Sequence, residues 1–186
     1  MSVMNVVEHE ELNRLLAQTS RGDQKAFSQL YDLTSPRLFG LCLRMLSDRQ
    51  EAEEVMQETF VTVWQRSTTF DSAKASAMTW LATLVRNKSI DRLRQRQGAL
   101  IDRNFELDAM VDEQPNPAMR AEQDHEYERL RQCLDELEPQ QRRSVREAFF
   151  SGATYNELAA RAKVPLGTMK SWIRRSLLQL RACLNT

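Results

Sequence analysis

Glycine and proline are scarce in this chain of 186 residues, which contains only five of each. Such a composition disfavours a turn-rich β fold and favours helices. No apolar run approaches the roughly 20 residues that a helix needs to span a bilayer. The N-terminal segment also lacks the basic start and the long apolar core of a secretion signal. We therefore expect an all-α protein that works in the cytoplasm, without direct membrane insertion.

Residue types that carry metal or covalent chemistry are equally sparse. His9 and His125 have no Cys or His at ligand spacing, so no metal site is predicted. The sequence lacks a glycine-rich phosphate loop, a nucleophile elbow and a catalytic triad, and we therefore expect neither an enzyme nor a cofactor. Cys42, Cys133 and Cys183 lie far apart in apolar helical contexts, which predicts buried thiols. A disulfide or a redox switch is the alternative interpretation.

Charge is balanced in total but unevenly distributed. The chain has 26 basic and 26 acidic residues. Residues 79–96 hold five basic residues and one acidic residue, and residues 139–186 hold nine and two. Residues 97–138, between them, hold four basic and 12 acidic residues. Phosphate neutralisation supplies most non-specific DNA affinity, so two basic blocks indicate two contacts with one polyanion.

The C-terminal segment has the pattern of a helix-turn-helix. Thr154 and Glu157 form a capping box at the start of a first helix, and Pro165 ends it. The second helix runs from about Leu166 to Leu184. Its apolar positions predict one buried stripe, formed by Leu166, Met169, Ile173, Leu177, Leu180 and Leu184. Its polar face carries Thr168, Lys170, Ser171, Arg174 and Arg175. Such a face reads DNA in the major groove, whereas a merely solvated basic face leaves the charge distribution unexplained.

The hydrophobic periodicity predicts two small helical domains. The first, residues 1–96, contains five helices, the second and third of which are separated by Pro36. The fifth covers Met78–Arg96 and follows a small-residue loop. Residues 97–118 form an acidic, flexible linker. The second domain, residues 119–186, has a helix over 119–138, another over 139–151, and the helix-turn-helix.

Several motifs together resemble a known family. The segment from Ala52 to Trp64, followed by Trp80-Leu81 and by Asn87 to Arg94, is similar to the second conserved region of bacterial extracytoplasmic-function (ECF) sigma factors. Residues 134–139, 155–159 and 165–171 resemble their fourth region. The motifs occur in the order and spacing of the family, so the resemblance covers both predicted domains.

The resemblance implies three groups of site residues. A surface for core RNA polymerase would comprise Glu51, Glu54, Gln57, Glu58 and Trp64. A surface that melts the −10 promoter element would comprise Asn87, at a base, and Arg86, Lys88 and Arg92, at phosphates, together with the loop over 67–79. A −35 surface would comprise Thr168, Lys170, Ser171, Arg174 and Arg175.

Three aromatic positions have open or contrasting interpretations. Trp64 is equally compatible with a place in the core, and the apolar face predicts a core position for Trp80. Trp172 stands where many relatives have a basic residue, and it is expected to pack on a neighbouring helix or on a partner. One of the phosphate contacts of the family is therefore in doubt.

The resemblance also implies partners. They are core RNA polymerase, promoter DNA and an anti-sigma factor, which is often membrane-anchored in the family. Two other classes of protein compete with this interpretation. A stand-alone helix-turn-helix regulator would have no use for a melting helix with Asn87 between basic residues. A helical interaction module would leave both basic blocks without a role.

Overall fold

The structure is a computed structural model that describes residues 3–97 and 128–184. The described residues contain helices and no β-strand, which confirms the all-α class. They divide into two compact units, one from each end of the chain. Apart from Gln97, the predicted linker over 97–118 lies outside the described residues, as does the start of the helix predicted over 119–138. No helix in the described ranges is long and apolar enough to cross a membrane.

Unit 1 is a bundle of four helices. They are α1 (Val3–Thr19), α2 (Gln24–Leu46), α3 (Arg49–Arg66) and α4 (Ala77–Gln97). A short 3-10 turn, Ser67–Thr69, follows α3. Every helix contributes leucine, valine or methionine side chains to one core, and α2 contacts each of the other three helices. The predicted inward face of α3 is confirmed, since Ala52, Val55, Met56, Phe60 and Val63 are all buried.

Local signals at the helix ends account for the turns of unit 1. Gly22 adopts a positive φ of 85° after α1, a conformation that glycine reaches without strain. The Asp23 side chain then accepts hydrogen bonds from the N–H groups of Lys25 and Ala26, and so caps α2. At the next turn the Asp48 side chain accepts from the Glu51 N–H and caps α3. The chain therefore reverses direction where the sequence supplies these caps.

The prediction that Pro36 separates two helices is wrong. Residues Gln24–Leu46 form one helix of 23 residues with Pro36 inside it. A proline removes one backbone hydrogen bond and restricts the preceding turn. Here the ring is exposed, and the buried side chains of Leu38, Cys42 and Met45 continue the same packed face beyond it. Tertiary packing on both sides of the proline outweighs the lost bond.

Unit 2 is built around a long C-terminal helix. Its helices are α5 (residues 128–135), α6 (Pro139–Arg146), α7 (Tyr155–Ala162) and α8 (Leu166–Leu184). The predicted helix over 139–151 is α-helical only as far as Arg146, since Glu147–Ser151 forms a π-helical turn. The hydrophobic core of unit 2 comprises Cys133, Leu134, Leu137, Val145, Leu158, Ala159, Met169, Ile173 and Leu180. Trp172 packs partly buried against this cluster, so it serves the fold of the unit.

The prediction of three buried thiols is wrong for two of the cysteines. Cys133 of α5 and Cys183 of α8 form a disulfide, with Cα atoms 5.8 Å apart and a separation of 50 positions in the sequence. Their wide separation hid the pairing, because only the tertiary fold of unit 2 places the end of α8 beside α5. Cys42 of unit 1 is a buried free thiol, as expected.

The predicted apolar stripe of α8 is only partly buried. Met169, Ile173 and Leu180 are in the core, but Leu177 is 51% exposed and Leu184 is also exposed. Ser176 takes the buried position between Ile173 and Leu180. Its hydroxyl lies 3.5 Å from the Gln141 side-chain oxygen of α6, so a small polar group fits where a leucine was expected.

Candidate nucleic-acid interface

The helix-turn-helix forms as its sequence signals predict. The Thr154 N–H donates to Glu157 Oε2 at 2.6 Å, and the Glu157 N–H donates to Thr154 Oγ1 at 3.3 Å. This reciprocal capping box fixes the start of α7. Lys163 ends α7 in the left-handed region, at a φ of 54°. The Met169 N–H donates to the Pro165 carbonyl, so α8 begins immediately after the turn.

The polar face of α8 is open to solvent. Lys170, Ser171, Arg174 and Arg175 are exposed, and Thr168 is half-buried near the helix start. The Ser171 hydroxyl donates to the Gly167 carbonyl at 2.9 Å, which leaves its oxygen able to accept a further hydrogen bond. Within the described residues, none of the three cationic side chains forms an ion pair. The structure thus brings all five predicted −35 residues onto the first three turns of one helix.

Unit 1 also brings two predicted groups together, although the sequence assigned them to different partners. Arg92 of α4 donates to Glu54 Oε2 at 2.9 Å and to Glu58 Oε1 at 3.1 Å, both on α3. Lys88 lies 3.6 Å from Glu58 Oε2. The hydrogen bond to Glu54 raises the pKa of Arg92 above its ordinary value. Predicted −10 residues and predicted polymerase-binding residues are therefore bound to each other.

A second ion pair extends this contact toward the end of α4. Arg96 lies 2.5 Å from Glu51 Oε1 and 3.8 Å from Asp48 Oδ2. The Glu51 side chain is only 20% exposed. Its other oxygen is buried without a hydrogen-bond partner in the described part of the chain. Glu51 is therefore the least accessible of the predicted polymerase-binding carboxylates.

The other predicted residues of unit 1 differ in exposure. Asn87 and Gln57 are exposed, and Arg86 is half-buried. Trp64 is 39% exposed, and its ring packs edge-on against Phe27 at 5.2 Å, so it is neither fully core nor free surface. Trp80 is half-buried, and its ring lies 5.9 Å from that of Phe70 in the loop before α4. Its predicted core position is thus only partly realised.

Both units match descriptions of one family. The family model "Sigma-70 region 2" matches residues 30–99, and "Sigma-70, region 4" matches residues 127–180. The chain is 34% identical over 180 residues to the ECF RNA polymerase sigma factor SigK of Mycobacterium ulcerans, covering 95% of each protein. It is 36% identical over 179 residues to SigK of Mycobacterium tuberculosis H37Rv, covering 94% of each. The chain belongs to the ECF sigma factor family.

Solved structures of sigma factors are also similar to this chain. Rhodobacter sphaeroides SigE, in complex with the anti-sigma ChrR, is 31% identical, with 96% of this chain and 99% of that chain covered and a TM-score of 0.48. CnrH, in complex with the cytosolic domain of CnrY, is 22% identical, with 94% and 97% covered and a TM-score of 0.43.

The structure of this sigma factor adds surface residues that sequence patterns missed. An open groove of about 530 Å³ runs along α8 beside the predicted −35 residues. Besides Lys170 and Arg174 it is lined by Tyr155, Leu177, Leu178 and Arg181, together with the edge of Ile173. The exposed leucines escaped notice because helical periodicity placed Leu177 in the core. Leu177 and Leu178 are adjacent on one helix and so point in different directions. That adjacency is the sequence signal that at least one of the two leucines faces solvent.

Proposed function

We propose that this ECF sigma factor binds core RNA polymerase and directs it to a subset of promoters, with unit 2 reading the −35 duplex and unit 1 opening the −10 element. Membership of the family supports the role in transcription initiation. The observation that best supports assigning unit 2 to the −35 duplex is the open polar face of α8, whose cations form no ion pair among the described residues. Such a face fits the major groove of duplex DNA.

The −35 contact combines two kinds of recognition. Arg174 and Arg175 lie in the middle of α8, where a guanidinium reaches base edges and binds guanine with two hydrogen bonds. Lys170 and Thr168 lie nearer the helix N-terminus, where backbone N–H groups and the helix dipole favour a phosphate. Ser171, on the same face, donates its hydroxyl hydrogen to Gly167 and therefore offers an oxygen acceptor to a donor on a base edge.

For the −10 element we propose that Asn87 contacts a base. Its side chain is exposed on α4, and an amide matches the hydrogen-bonding edge of adenine. Lys88 and Arg92 reach DNA phosphates only by exchanging their carboxylate partners, Glu54 and Glu58. Arg86, half-buried on the same helix, is the remaining phosphate contact in this proposal. Opening therefore depends on a redistribution of ion pairs on α4.

The polymerase surface is the exposed side of α3. We place its centre at Gln57 and Trp64, with the outer oxygens of Glu54 and Glu58 around them. Glu51 contributes least because Arg96 covers it. An aromatic side chain flanked by carboxylates suits a partner with a basic, partly apolar helix, and charge complementarity would orient the encounter.

Membership of the family supports three further points of the proposal. The chain acts without catalytic activity of its own, as a subunit of the polymerase. It acts in the cytoplasm, where transcription takes place. An anti-sigma factor restrains it until a signal arrives. A stand-alone helix-turn-helix regulator is not favoured, because unit 1 matches the second sigma region over 70 residues of the chain.

In vitro transcription tests the proposal directly. Purified core polymerase, with and without the chain, is incubated with a genomic promoter library, and the start sites are mapped. We expect new starts that share two sequence elements and depend on the chain. The Arg174→Ala variant serves as a matched control, because it should bind core normally and lose starts that depend on the −35 element. A folded chain that neither binds core nor creates starts would overturn the proposal.

A further inference from the structure

A side chain of α1 satisfies the first backbone N–H of α4. The Asn13 Oδ1 accepts a hydrogen bond from the Ala77 N–H at 2.7 Å, across 64 positions of sequence. Ala77 is the first residue of α4 and is fully buried. Asn13 lies before residue 30, where the match to the second sigma region begins. A residue outside the matched region therefore completes the helix that carries the predicted −10 residues.

The hydrogen bond has a specific role at this helix end. The first N–H groups of an α-helix have no partner within the helix. The Ser76 hydroxyl accepts from the Thr79 N–H at 3.3 Å and so caps one of them. The Ala77 N–H is a different group, and Asn13 supplies its acceptor. Without that acceptor a buried donor would remain unsatisfied, which favours unwinding of the first turn.

The same helix α1 also contacts the start of the loop before α4. It packs against the Ser67–Thr69 turn as well as against α4. Between these two contacts, the Asp71 side chain accepts from the Ala73 N–H at 3.0 Å, and Phe70 packs on Trp80. The hydrogen bond from Ala73 and the pairing with Lys74 hold the pKa of Asp71 below its ordinary value. The loop is thus folded on itself and held by α1 at both ends.

We infer that Asn13 is a positioning residue for promoter opening. Its hydrogen bond to Ala77 fixes the first turn of α4 and, with it, the geometry of the loop over 70–76 relative to Asn87. The proposed −10 surface accepts an unstacked base more readily if the loop geometry exists before the base arrives, because the cost of unstacking leaves little free energy for ordering the protein. The inference rests on the proposed role of unit 1 at the −10 element, and it assigns α1 to that role.

Three variants test the inference. Asn13→Leu keeps the approximate shape, removes the acceptor and raises helix propensity, so that a defect cannot come from a weakened α1. Asn13→Asp retains an oxygen acceptor. Arg14→Ala is the matched control, because Arg14 is an exposed neighbour on α1 that pairs only with Glu11 in the described structure. Each full-length variant is studied by hydrogen exchange, by core binding and by opening of a consensus promoter with a fluorescent base at the −10 element.

The expected pattern is selective. In Asn13→Leu, amide exchange over 77–80 should rise roughly tenfold, as for a lost buried hydrogen bond, and the open fraction should fall by a similar factor. Core affinity should stay within about twofold, and Asn13→Asp and Arg14→Ala should behave like the parent. Normal opening by Asn13→Leu would overturn the inference. A parallel fall in core binding would overturn it too, because it would show a general structural role.

The readouts separate this inference from the proposed function. Hydrogen exchange reports the cap at Ala77 without any promoter or polymerase. If the parent chain opened no promoter with core polymerase, the proposed function would fail, and the role of Asn13 in opening would fail with it. If the parent opened promoters and Asn13→Leu changed exchange but not opening, only the inference would fail.

Discussion

The two basic helices of this sigma factor differ in what neutralises their charge. On α4, Lys88, Arg92 and Arg96 all form ion pairs with carboxylates of α3 or of its N-terminal cap. On α8, by contrast, Lys170, Arg174 and Arg175 form no ion pair within the described residues. Counting charges along the sequence made the two helices look equivalent. The difference lies in the surroundings of each helix. The helix α3 presents carboxylates to α4, whereas, in the described part of the chain, the groove beside Lys170 and Arg174 is lined by Tyr155, by other residues of α8 and by no carboxylate.

This difference separates two ways of using positive charge. In the proposed −35 contact, the cations of α8 would meet DNA phosphates without first losing a protein partner. On α4, by contrast, Lys88, Arg92 or Arg96 must leave a carboxylate to meet a phosphate, and the gain is the difference between two ion pairs. The charge of α4 therefore favours binding only where DNA and polymerase together replace what is lost. This contrast supports the proposal that unit 1 acts within the polymerase complex.

The two units also differ in how cysteine supports them, and here the largest effect is expected. Reduction of the Cys133–Cys183 disulfide should lower the free energy of unfolding of unit 2 by about 4 kcal/mol, because the bond closes a loop of 50 residues. Unit 1 should be unchanged. Denaturant-dependent hydrogen exchange, with and without dithiothreitol, measures each unit separately. The double variant Cys133→Ser, Cys183→Ser should not respond to the reductant. Equal losses in both units would contradict the prediction.

The free thiol of unit 1 should make the stability of unit 1, unlike that of unit 2, depend on a cysteine that titrates. Burial raises the pKa of Cys42 from 9.0 to about 11, and a contact with Ser89 partly offsets this. The unfolded chain ionises first, so the stabilising effect is complete below about pH 9 and is lost as pH rises toward 11. A shift of this size corresponds to ~2–3 kcal/mol. The disulfide cysteines of unit 2 do not titrate.

Unfolding measured between pH 8 and pH 11 tests whether the Cys42 thiol makes stability depend on pH. Cys42→Ala is the control for other groups that titrate in this range. The parent should lose more stability than the variant over that interval, and the difference should come from unit 1 alone. Equal pH slopes for the two proteins would show that the thiol does not contribute.

At the −35 element the comparison predicts a direct loss on truncation. Arg174→Ala should weaken promoter binding by the polymerase complex by ~1–3 kcal/mol if the guanidinium binds a guanine. The loss should be confined to promoters with that base. Arg181→Ala is the matched control, since Arg181 is exposed on the same helix but nearer its C-terminal end. Affinities measured across a salt series distinguish a base contact, which changes specificity, from a phosphate contact, which lowers the salt slope by about 1.

Much of the fold follows from the sequence because local signals dominate it. The capping box at Thr154 and the break before Pro165 locate the two ends of α7, since each acts through neighbouring backbone groups. Pro36 misled because its effect depends on packing from three other helices. The sequence pattern assigns the buried position after Ile173 to Leu177 instead of Ser176 for a related reason. A helical period tolerates steps of three or four residues, and only packing against α6 decides which residue is buried.

The candidate site was predictable in composition but not in its internal bonding. Motif order identified the exposed face of α8 and the residues of α3 and α4. It could not show that Arg92 joins Glu54 to Glu58, because partners 34 and 38 positions apart leave no periodic signal. Nor could it reveal the contact of Asn13 with Ala77, which depends on one helix crossing the end of another.

The smallest effect concerns the ion pairs of α4 themselves. Arg92→Gln should lower the free energy of unfolding of unit 1 by about 1 kcal/mol, because Arg92 is only 24% exposed and binds two carboxylates with good geometry. The loss should shrink as salt is added. Arg49→Gln, which breaks the exposed pair with Glu53, should cost less than about 0.5 kcal/mol.

A double-mutant cycle with Glu54→Gln decides whether Arg92 acts through this pair. The double variant should lose less than the sum of the single losses, because each single change already breaks the Arg92–Glu54 bond. The same variants, measured for promoter opening, separate the two roles of the guanidinium. If Arg92 moves to a phosphate, Glu54→Gln should ease opening while Arg92→Gln impairs it. If both changes left promoter opening intact, Arg92 would serve the fold alone. The ion-paired Arg92 of α4 would then have a structural role, in contrast to the cations of α8, which form no ion pair among the described residues and are proposed to bind DNA.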